Sequence, residues 1–134
     1  MGVCIFVASG LNFDVDRYLP TSPFKAAGIF RKGQIPPKSN PGKLPREDSG
    51  FSVIVSESPD LELAQQLEDA LMFLVNHEQD LVNLKKAGMD NMLLDFGVEF
   101  KTAQRSDYLP PELMVALARF SMGLVFSTIR VPEG

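Results

Sequence analysis

The sequence predicts a single α+β domain: one mixed or mainly antiparallel sheet of about five strands with helices packed on it. Three observations carry that expectation. Met92, Leu94, Phe96, Val98 and Phe100 alternate with Leu93, Asp95, Gly97, Glu99 and Lys101, the two-residue period of a strand with one buried face. Leu63, Leu67, Ala70, Leu71 and Leu74 fall instead on one helical stripe. Short β-branched and aromatic runs stand on either side of these segments.

Taken in order, Val3 to Ala8 reads as a buried strand ending at Ser9-Gly10. Asn12 to Leu19 holds a short helix stopped by Pro20 and the Thr21-Ser22-Pro23 turn. Phe24 to Arg31 suits an irregular strand. Gln34 to Gly50 is proline-rich and reads as a long basic loop within the one domain of residues 1–134. Phe51 to Ser56 alternates like a strand, and Ser58-Pro59 is expected to open the next helix, with Ser58 as its cap. Extended unbroken to Ala87, the leucine stripe would place Glu78 and Lys85 at its centre. The helix therefore breaks near Asn76. Asn76 and Gln79 have the spacing of a capping box, opening a second helix through Leu81 and Leu84 to Gly88. Pro111 starts the last helix, with Leu113, Ala116, Leu117 and Phe120 inward, and Leu124 to Ile129 closes the fold as a strand before Pro132.

Several of these segments together resemble a known family. They are Ser9-Gly10 leading into Asn12-Phe13-Asp14-Val15-Asp16 and Tyr18-Leu19, then Lys32-Gly33, the strand Phe51 to Ser56 and the leucine-rich helix pair. The chain ends with Leu109-Pro110-Pro111-Glu112-Leu113, Ala118-Arg119-Phe120 and Leu124-Val125-Phe126. This pattern resembles the bacterial domain-of-unknown-function family 4279 over nearly the whole chain. Such proteins typically carry Trp where Phe51 stands and Gly where Ser121 follows the last helix. The resemblance implies a compact α+β domain and no particular activity.

Composition narrows the function classes. At 134 residues, 45% apolar and 22% charged, the chain is an ordinary globular domain. Its one cysteine, Cys4, leaves no internal disulfide and fits a reducing compartment. The apolar start lacks the basic flank of a signal peptide, and no run is long enough to span a bilayer, so a soluble cytoplasmic protein is expected. The acidic balance disfavours nucleic acid.

Catalytic and metal-binding patterns are weak. His77 is the single histidine, and Cys4 lies inside an apolar strand, so a Cys4–His77 dyad has nothing to support it. Asn12, Asp14 and Asp16 begin like a calcium loop, but Arg17 and Pro23 stand where that pattern needs Gly and Glu. Asp95 and Glu99 would be ~13 Å apart along one strand, beyond either glycosidase spacing. Gly28 to Gly33 has phosphate-loop glycine spacing without the Lys-Ser/Thr. No cofactor or metal is expected, and the balance is against an enzyme.

Charge is the more informative signal. Lys25, Arg31, Lys32, Lys38, Lys43 and Arg46 form a window of six bases with no acid, on a chain of net −4, which leaves −10 for the remainder. Glu57 to Asp80 carries seven acids and no base. The expectation is a non-enzymatic protein-binding module that uses the basic loop, through Arg31, Lys32, Lys38, Lys43 and Arg46, or the acidic helix face, or both. The competing expectation is a small-molecule-binding or hydrolytic domain with a pocket near Gly97 and the Gly28–Gly33 turn. Oligomeric state is open, and a homodimer through a sheet edge is allowed.

Overall fold

A computed structural model describes residues 2–35, 42, 44–58, 61–100 and 106–130. The elements are β1 (Gly2–Gly10), α1 (Val15–Tyr18), a 3-10 turn (Leu19–Thr21), β2 (Gly28–Phe30), β3 (Ser49–Ser58), α2 (Leu63–Asn76), α3 (Glu78–Lys86), β4 (Asn91–Phe100), α4 (Pro111–Arg119) and β5 (Gly123–Arg130). One mixed five-stranded sheet runs in the order β2-β3-β1-β4-β5. Every pairing is antiparallel except β4 with β5, which are parallel and joined through α4. This is the α+β fold that the sequence predicts.

The two-residue period decides which face is buried. Cys4, Phe6 and Ala8 of β1, Phe51 and Val53 of β3, and Met92, Leu94, Phe96 and Val98 of β4 are all buried. They meet Leu63, Leu67, Ala70 and Leu74 of α2, Leu81 and Leu84 of α3, and Leu113 and Leu117 of α4 in one core. Burying a side chain of that size stabilises by about 1.5–3 kcal/mol. At the β1–β3 end the core is aromatic. Phe51 is fully buried, with ring centroids 6.3 Å from Phe6, 6.2 Å from Phe13 and 5.9 Å from both Tyr18 and Phe24.

Three expectations are corrected. Ser58 does not cap a helix: β3 continues through it, because its main chain pairs with Gly2 of β1, and α2 begins at Leu63. Asn76 and Gln79 form no capping box. His77 is the junction between α2 and α3, its ring nitrogen 2.9 Å from Asp80, while the Gln79 amide donates to Asn83. Ser49 and Gly50, read as the end of the loop, are the first residues of β3.

Two turns show why particular residues stand where they do. Gly88, with φ +104°, closes α3: its N–H donates to the Lys85 carbonyl and the Met89 N–H to that of Leu84. That paired ending needs a left-handed residue, and glycine adopts it at no steric cost. Ser121 follows α4 with φ +51°, so the position where the resemblance expects glycine is left-handed.

Candidate docking site

Both arginines of the predicted basic segment are occupied by the protein's own groups. Arg31 forms a two-point pair with Asp16, Nε to Oδ2 at 2.9 Å and Nη2 to Oδ1 at 2.7 Å. The hydrogen bond from Arg31 holds the Asp16 carboxyl below its ordinary pKa, and the same bond raises that of Arg31. Arg46 reaches Asp48 at 3.2 Å and lies 3.8 Å above the centre of the Phe30 ring. Gly50 explains the position of that ring: a Cβ there would fall 2.6 Å from Phe30 Cζ and 2.2 Å from the Ala8 carbonyl oxygen. The ends of the loop are tied together, Gly33 N–H donating to the Arg46 carbonyl and Arg46 N–H to that of Gln34. Lys32 donates its backbone N–H to Ser49 Oγ, and its exposed side chain has no ion partner among the described residues. Lys38 and Lys43 lie outside the described residues.

A different surface is built where α3 passes the end of α4. The groove there measures about 400 Å³. Its apolar floor comes from Leu81, Val82, Met92 and Phe120. Leu81 and Met92 also belong to the core, whereas Val82 is 38% exposed. Its rim carries Lys85, Lys86, Arg119 and Glu78. Arg119 pairs with Glu78 and leans over the Phe120 ring, 5.6 Å from its centre. Lys85 and Lys86 are exposed and have no ion pair or hydrogen bond from their side chains among the described residues. Both sit in the last turn of α3, where cations complement the helix dipole. That role explains the charge but not the partly exposed Val82 and Phe120 beside it. On the other side of α3 a second hollow of about 360 Å³ takes its walls from Tyr18, Ser22, Asp80 and Asn83, with Lys86 at its border. Burial, and next the charge of Asp80, push the Tyr18 phenol up to about 12.

The other candidate residues are placed in structural roles. Cys4 is fully buried, and burial pushes its thiol up to about 12. The His77 ring lies 5.0 Å from that of Phe24 and 4.7 Å from that of Phe73, with Nδ1 against Asp80. Asp14 caps α1 by accepting from Arg17 N–H, and Asp16 is taken by Arg31. Asp95 accepts from Ser127 Oγ at 2.7 Å. The Gly97 carbonyl accepts from Gln66 Nε2 at 2.8 Å, and a Cβ on Gly97 would stand 3.1 Å from the Val3 carbonyl oxygen. The close backbone approach expected of a strand glycine is therefore present. Among the described residues no cluster of three His, Cys, Asp or Glu could hold a metal, and no helix is long and apolar enough to cross a membrane.

The sequence signals the groove in one place only. Lys85-Lys86 ends a stretch that has no base from Glu57 through Asp80, but nothing in that pattern says Phe120 and Met92 lie alongside. Comparison with known proteins finds no matching family model, curated protein or solved structure.

Proposed function

We propose that this chain is a non-enzymatic binding module, and that the α3–α4 groove receives an acidic, apolar-anchored segment of a partner protein. One observation carries the reading: Lys85 and Lys86 stand unpaired among the described residues, over an apolar floor, on a chain of net −4. An apolar anchor seated on Val82 and Phe120 contributes about 1.5–3 kcal/mol. Carboxylates beside the lysines add up to about 1 kcal/mol each, and complementary charge also speeds encounter and orients the partner. Against the cost of association, those terms suit a weak, exchangeable complex. Cys4 lies in the core, and His77 packs against Phe24 and Phe73 with its Nδ1 on Asp80.

The basic loop is the competing surface, acting through Lys32, Lys38 and Lys43 because Arg31 and Arg46 are neutralised locally. Anisotropy of labelled amphipathic peptides carrying Glu beside Leu or Phe separates the two. Lys85→Glu with Lys86→Glu is expected to weaken capture tenfold or more. Reversal at Lys32, Lys38 and Lys43 is expected to leave it unchanged. The opposite pattern assigns docking to the loop. A second reading follows from the groove's size, which lies in the range of small-molecule sites. Displacement of the peptide by a medium-chain fatty carboxylate supports that reading.

A further inference from the structure

We propose that β5 pairs antiparallel with β5 of a second copy of this chain, joining two sheets into one of twice the width. Strand β5 ends the sheet, and among the described residues no strand pairs with its outer side. Its sequence is that of an interior strand: Leu124, Val125, Phe126 and Thr128 fall within eight residues that contain no proline and no charge before Arg130. Natural edge strands are usually kept short, charged, bulged or interrupted by proline, because their open donors and acceptors template further pairing. The opposite edge follows that rule: β2 is three residues long and runs directly into Arg31 and Lys32.

Coverage points the same way. Phe96 of β4 is fully buried, whereas Phe126, its register partner on the helix-bearing face, is 40% exposed with its ring 5.8 Å away. Val125 on the other face is 38% exposed. The helical layer thus shields β4 and leaves Phe126 and Val125 exposed on the two faces of β5, whose outer edge pairs with no strand among the described residues. A second copy related by a two-fold axis supplies an identical edge, and its own Val125 and Phe126 cover those of the first. An edge strand of each chain becomes the middle of the joint sheet. Because the pairing is two-fold, assembly closes at two chains.

The test is light scattering on the full chain from micromolar to millimolar concentration, with Val125→Lys and Thr128→Lys as variants. Both positions are exposed, so each variant is expected to keep the wild-type circular dichroism and melting curve at the lowest concentration, where the wild type is one chain. The wild-type mass is expected to rise from one chain to two, with the midpoint moved tenfold or more in each variant. Hydrogen exchange at β5 amides is expected to slow with concentration in the wild type alone. A wild-type mass of one chain throughout overturns the proposal. So does growth beyond two chains, or a folded variant that dimerises like the wild type. Should Val125→Lys fail to fold, Thr128→Lys decides.

Discussion

The two arginines of the basic window and the two lysines on the rim of the α3–α4 groove make opposite use of positive charge. The window holds six bases in sequence, yet both of its arginines are committed to the protein itself, Arg31 to Asp16 and Arg46 to Asp48 and the Phe30 ring. The groove brings together three bases from α3 and α4, two of them unpaired among the described residues and next to exposed apolar surface. Linear charge density alone therefore does not say which of the charges are available. What decides it is which side chains the fold leaves without a partner, and what lies beneath them.

The largest expected effect breaks the support of the basic window. Phe51→Ala removes the centre of the aromatic cluster under β2 and α1, and should cost about 3–5 kcal/mol in urea denaturation. Peptide capture per folded molecule should be unchanged, since the groove has other walls. Next comes Val82→Asp, which sets a carboxylate in the groove floor. It should lower affinity for an acidic peptide tenfold or more, about 1.4 kcal/mol. Because Val82 is partly exposed, stability should stay within about 0.5 kcal/mol in the same denaturation series.

Arg46→Ala sharpens the contrast from the other side. Losing the contact with Phe30 should cost about 0.5–1 kcal/mol of stability and leave peptide affinity untouched. The smallest effect concerns pH. Asp16 has its folded pKa lowered by Arg31, so the pair's contribution is complete above the unfolded value of about 3.9. It is lost as pH falls through the folded value. In a carboxyl-observed NMR titration Asp16 should titrate below the unfolded Asp value in the wild type, and Arg31→Ala should raise it.

The fold was legible where periodicity is strong. The β4 alternation and the α2 stripe located both elements, and a phase argument placed the helix break near Asn76, next to the junction residue His77. Local cap signals failed where tertiary pairing competes: Ser58 has cap chemistry, but the β1 ladder takes its main chain first. Pairings between distant charges were not legible for the same cause. Arg31 and Asp16 are fifteen residues apart, and no spacing rule announces that they neutralise each other. Nor does any rule announce that Met92, Phe120 and Lys85, from three elements, share one groove.

The most direct measurement is a two-dimensional amide NMR titration of the full chain with an amphipathic acidic peptide, repeated with the same peptide carrying Lys for Glu. The acidic form is expected to shift the signals of Leu81 to Lys86 and of Arg119 and Phe120, and the basic form to leave them in place. Shifts confined to Lys25–Arg46, or the same response to both peptides, would contradict docking at the groove.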